Sequence, residues 1–125
     1  MLPLVSSTAT TIHNAAHAAV TTVAAGSSVH DFVKVTGEAG KPTPQGDVTL
    51  SWFTNGTCTA PAQSSTVVSV NAAGEVDATA FEKGPLAAGA FSFRAVFHDP
   101  SGLYLDSTGP CEPVKVVDAN IQITP

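Results

Sequence analysis

The sequence predicts an all-β domain, and three observations carry that expectation. Valine (15 residues) outnumbers leucine (6), and threonine (15) outnumbers glutamate (4). β-Branched side chains lose rotamer freedom in helices and sit well on pleated sheets. Ten glycines and nine prolines punctuate the chain along its whole length, and several segments between them alternate apolar and polar residues with a period of two. Short strands with turn signals at that spacing make a sandwich or barrel. Alanine is the best helix former, but most alanines here lie beside Gly, Pro or Thr. At 125 residues the chain suffices for one domain with a real core and not for two ordinary ones.

Taken in order, residues 1–8 show no periodicity and are expected to be a flexible or disordered lead into the domain. Thr10-Thr11-Ile12 and Val20-Thr21-Thr22-Val23 read as two short strands. Between them, residues 13–19 have room for one helical turn capped by Asn14. Gly26-Ser27-Ser28 turns the chain into a strand from Val29 to Thr36, where Val29, Val33 and Val35 share a face with Asp31. Residues 37–46, carrying Pro42 and Pro44, form a loop. Val48, Leu50 and Trp52 alternate in the next strand. Asn55-Gly56 after it signals a two-residue hairpin, with Thr57-Cys58-Thr59 starting the return strand. Residues 66–70 and 75–81 are further strands joined by Asn71-Ala72-Ala73-Gly74. The clearest strand places Phe91, Phe93, Ala95 and Phe97 on one face. Asp99-Pro100-Ser101-Gly102 turns it, and residues 113–117 form the last strand. About seven core strands result, and the domain spans 9–117. Ile121 and Ile123 alternate in the tail, 118–125, which reads as a linker or as a strand for a neighbouring domain or subunit.

From Gly46 to Val117 the pattern resembles the group 3 bacterial immunoglobulin-like domains, found as repeats in secreted and surface proteins. The matching residues are Gly46-Asp47-Val48-Thr49-Leu50, Asn55-Gly56-Thr57 and Gly74-Glu75-Val76-Asp77-Ala78-Thr79. They continue through Leu86-Ala87-Ala88-Gly89-Ala90-Phe91, Phe93-Arg94-Ala95-Val96-Phe97 and Leu103-Tyr104-Leu105-Asp106-Ser107-Thr108. The pattern departs from the family at His98-Asp99-Pro100 and in the cysteine pair. The resemblance implies an immunoglobulin-like antiparallel β-sandwich and an extracellular or cell-surface habitat. Its motifs are turns and core faces; none is catalytic.

Charge excludes some functions. Five Lys+Arg against ten Asp+Glu give a net charge of −5, which repels a phosphate backbone, so nucleic acid is not an expected partner. No apolar run approaches the ~18 residues of a membrane helix, and residues 1–4 do not look like a signal peptide. Cys58 and Cys111, an even pair in a small lysine-poor β domain, point to a disulfide and an oxidising compartment. In a standard sandwich, however, the two lie at opposite ends.

His13, His17 and His30 with Asp31 could be drawn together as a metal site. A His-x-x-x-His pair shares a face only on a helix, so the histidines are expected to be solvated or singly hydrogen-bonded. No metal and no cofactor are expected. Asp31, among valines, needs hydrogen-bond donors from backbone or histidine. Lys34, Asn120 and Asp77 are candidates for an intramolecular isopeptide cross-link, which requires an amine and a carboxylate in an apolar pocket. Asp99 and Asp106 are candidates for calcium, though two carboxylates are few. Asn55-Gly56-Thr57 is a glycosylation sequon that its hairpin role already explains. No serine is marked as a nucleophile on a strained turn, so no enzyme activity is expected.

The expected function is a non-catalytic structural or adhesive module, a spacer or binding repeat of a secreted or surface bacterial protein. Its partners would be neighbouring domains of the same kind or a surface ligand. The alternatives are a module binding carbohydrate or protein through its end loops, with Phe32, Phe81 and Tyr104 as free aromatics, or a subunit that self-associates through residues 118–125.

Overall fold

The computed structural model describes residues 2–118, so Asn120 and all but the first residue of the 118–125 tail lie outside the described residues. Among the described residues, nine strands and one 3-10 turn follow one another: β1 (Ser7–Asn14), β2 (Thr22–Ala24), β3 (Val29–Thr36), β4 (Asp47–Phe53), β5 (Ser64–Ser69), β6 (Glu75–Asp77), the turn Thr79–Phe81, β7 (Gly89–His98), β8 (Ser107–Thr108) and β9 (Glu112–Val117). They form two sheets. The smaller has the order β1-β3-β6 and the larger β2-β9-β7-β4-β5, with β8 paired to β7 off that path.

Apart from the short β2 and β8, seven strands remain. The first, second and fifth of these build one sheet, and the seventh, sixth, third and fourth build the other. That distribution is the immunoglobulin-like sandwich with its fourth strand moved to the larger sheet. All full-strand pairs are antiparallel; β2 alone runs parallel to its partner, β9.

Alternation decides which side of each strand is buried. In β1, Thr8, Thr10 and Ile12 face the opposite sheet, and in β3 Val29, Asp31, Val33 and Val35 do. The larger sheet answers with Val48, Leu50, Trp52, Phe93, Ala95, Phe97, Val114 and Val116. Phe91, expected in the core, is only half-buried and stacks on Trp52, with ring centroids 5.1 Å apart.

Asn55-Gly56 is not a two-residue hairpin. β4 ends at Phe53 and β5 starts at Ser64; the intervening loop is organised by the Asn55 side chain, whose Oδ1 accepts from the Thr57 and Thr59 amides while Nδ2 donates to the Thr59 carbonyl. The loop is held over β7, because the Cys58 amide donates to Ser92 Oγ and Cys58 is bonded to Cys111 at 2.08 Å.

Strand stagger removes the geometric objection to that bond. β9 pairs only with the first half of β7, residues 89–93, whereas β4 pairs with residues 92–98. The start of β9 is therefore level with the end of β4: Trp52 and Glu112 both lie beside Phe93.

The segment expected to lead loosely into the domain is placed against it from Leu4 onward. The Leu4 amide donates to the Leu103 carbonyl, and its own carbonyl accepts from Leu105, both at 2.8 Å. Ser6 and Thr8 are buried beside Ser107. The chain thus enters the sandwich near the end of β7. It leaves at the opposite pole, where Val116 pairs with Gly89 and the Val117 carbonyl accepts from the Ala25 amide.

Candidate metal centre

β1 and β3 pair in a register that sets His13 directly opposite His30. Both alternate with core residues, so both project from the outer face of the smaller sheet. On the other side of β3, Phe32 pairs with Asp77 of β6, which puts the Asp77 carboxylate diagonal to His30 on the same outer face. The Phe32 ring walls one side, stacked on His13 with centroids 5.3 Å apart.

His17 arrives from the turn after β1. No helix forms there. Asn14 Oδ1 accepts from the amides of Ala16 and Ala18, His13 bridges to Ala19, and His17 takes a left-handed φ of 63°. The side chain is thereby folded back over the sheet, which a His-x-x-x-His spacing achieves here through a tight turn.

One nitrogen from each imidazole and one oxygen of Asp77 all lie within 4.8 Å of one another. His17 Nδ1 hydrogen-bonds Asp77 Oδ2 at 2.8 Å. His30 Nε2 and His13 Nδ1 lie 2.8 and 3.4 Å from Asp77 Oδ1. Yet these three atoms, all buried, make no hydrogen bond of acceptable direction. The His30 ring is only 1% exposed. His17 is exposed and singly hydrogen-bonded, as expected, whereas His13 and His30 are largely buried; the three rings converge, each nearly edge-on to the others, with centroids 5.1–6.5 Å apart.

The partner carboxylate is Asp77 and not Asp31. Asp31 points inward and is fully buried (0% exposed), and neither of its oxygens has a well-directed hydrogen bond, the Phe32 amide approaching without good alignment. Of the donors expected for it, only the Phe32 backbone amide is near; strand parity turns Asp31 away from the histidines. Burial, aided by the charge of Glu112 and opposed by the Phe32 amide, pushes its pKa up to about 8. The native state therefore holds a proton that the unfolded chain releases near pH 4. Stability relative to Asp31→Asn should be greatest below pH 4 and fall by up to about 1.4 kcal/mol per pH unit as pH rises to about 8, then level off. Denaturant melts of both chains in EDTA across that range check this; a constant difference between them would contradict it.

The other candidates are placed apart. Lys34 is exposed and paired with Glu75 at 3.1 Å, outside the apolar pocket an isopeptide reaction requires. The Asp99 carboxylate accepts from Ser101 Oγ and from the Ser101 and Tyr104 amides, and those bonds hold its pKa below the usual range in spite of some desolvation. Asp106 pairs instead with His98 at 2.8 Å. The three aromatics considered for sugar stacking are all engaged: Tyr104 is 2% exposed and donates to the Pro42 carbonyl at 2.7 Å, Phe81 is buried under Lys83, and Phe32 covers His13.

Asp77 was legible as a carboxylate on a strand but carried no signal pairing it with histidines. The signal that existed was parity: His30 alternates out of phase with Val29 and Asp31, and His13 out of phase with Ile12.

Neither a protein-family model nor a curated protein sequence matches the chain. Among solved structures it is similar to the CARDB domain of the PF1109 protein from Pyrococcus furiosus, a structure in complex with di-metal ions. The identity is 18%, the TM-score 0.45, and the match covers 89% of this chain and 93% of that one. At that level the likeness bears neither on the histidine cluster nor on function.

Proposed function

We propose that this chain is a non-catalytic structural module, a spacer or adhesive repeat of the group 3 bacterial immunoglobulin-like kind, working in series with neighbouring domains outside the cytoplasm. The carrying observation is that the chain enters the sandwich beside Tyr104 at one pole and leaves beside Gly89 at the other. A domain so threaded lies in line with whatever it joins. The Cys58–Cys111 bond supports an oxidising compartment.

Tension applied at the two ends would pull β1 lengthwise along β3, and β9 lengthwise along β2 and β7. Such shear loads all the hydrogen bonds of a pair together, whereas peeling breaks them singly. Forced unfolding is governed by the barrier to rupture, so shear should resist more. The experiment is single-molecule pulling in two geometries. Handles at the chain ends should give a clearly higher rupture force than handles at Asp47 and Ser69, which face each other at one end of the β4–β5 pair. Equal or lower end-to-end resistance would contradict the serial role.

A further inference from the structure

We propose that His13, His17, His30 and Asp77 bind one divalent transition-metal ion, zinc in the first place, as a structural site on the outer face of the smaller sheet. The inference does not rest on the serial role.

The four donor atoms lie within 4.8 Å of one another, close enough to share a single ion. His17 Nδ1 hydrogen-bonds Asp77 Oδ2 at 2.8 Å, but two features show that the buried donors are not paired in that way. His30 Nε2 approaches Asp77 Oδ1 to 2.8 Å, and His13 Nδ1 approaches the same oxygen to 3.4 Å. None of those three atoms has a hydrogen bond of proper direction. The buried His30 ring makes no hydrogen bond through either nitrogen. Burying an imidazole in that condition is costly unless a ligand meets it, and an ion at the convergence point satisfies Nε2. Lys34, on the same face, is already paired with Glu75, so it does not serve as the counter-charge for Asp77.

The donor chemistry selects the ion. Three imidazoles and one carboxylate suit zinc, with copper(II) and nickel(II) as competitors, whereas calcium and magnesium demand a shell of oxygens. Four protein ligands fill a tetrahedral zinc and leave no position for substrate, the pattern of a structural site. The ligands come from β1, β3, β6 and the turn after β1. One ion would therefore fasten that turn and the short edge strand β6 to the sheet.

The test uses the untagged chain, stripped with EDTA, dialysed and titrated with zinc chloride in a calorimeter. The expected result is one zinc per chain, not displaced by excess calcium, with a rise in melting temperature. His17→Ala and Asp77→Asn change side chains outside the inter-sheet core, and circular dichroism checks that both variants fold. Each should weaken zinc binding at least tenfold and abolish the thermal shift, while His98→Ala, remote from the cluster, should leave both unchanged. Failure of the parent chain to retain zinc, or parent-like affinity in either cluster variant, would overturn the proposal.

Discussion

Phe93→Ala is expected to destabilise the domain by about 3–5 kcal/mol, the usual cost of emptying a buried aromatic site. Phe93 lies at the centre of β7, flanked by Trp52 of β4 and Glu112 of β9, and its side chain is fully buried between the sheets. Its ring meets Trp52 at a centroid distance of 4.7 Å and Phe81 at 6.3 Å, so truncation opens a cavity whose walls belong to three separate segments. Those walls cannot close without moving whole strands, which is why the upper part of the range is expected. Phe91→Ala should cost less, since that ring is only partly buried, packed against the edge of the core and stacked on Trp52. Urea unfolding of the two variants measures the difference. A Phe93→Ala midpoint equal to that of the parent would mean the two faces of β7 are reversed.

Replacing both cysteines by serine should cost about 4 kcal/mol in the chain-entropy account. The bond closes a loop with a sequence separation of 53 residues, and opening it restores that freedom to the unfolded chain. The loop from Phe53 to Ser64 should suffer further, because Cys58 is what holds it over β7; the amide contact to Ser92 Oγ would then stand without covalent support. Thermal melts of the oxidised parent, the reduced parent and the double variant check this. Reduced parent and double variant should melt together, well below the oxidised chain. Coincidence of all three would show that the bond contributes nothing to the folded state.

The strands that the sequence makes plain are those with one face in the core and one outside. In β3, β4 and β7 a wrong register would bury polar side chains, so alternation and structure coincide. Asn55-Gly56 misled because turn propensity is local, whereas the loop from 54 to 63 answers to a disulfide partner distant in sequence. The position of Cys111 depended on the stagger of β9 along β7, which no pattern within either strand encodes. Asp31 was placed among the valines by parity alone, yet the lack of a well-directed donor to it could be read only from the packed sheets. The histidines were visible and their convergence was not. Their meeting needs the β1–β3 register, the left-handed backbone at His17 and the pairing of Phe32 with Asp77, each a non-local or strained feature. A carboxylate sixty residues beyond His17 has no local reason to be its partner.

The most direct measurement is diffraction from zinc-soaked crystals at the zinc absorption edge. The expected result is one anomalous peak on the outer face of the β1-β3-β6 sheet. It should lie about 2.0–2.2 Å from one nitrogen each of His13, His17 and His30 and from an oxygen of Asp77, the distances of a tetrahedral site. No peak there at saturating zinc, or a peak held by His17 alone with the buried His30 turned elsewhere, would contradict the account.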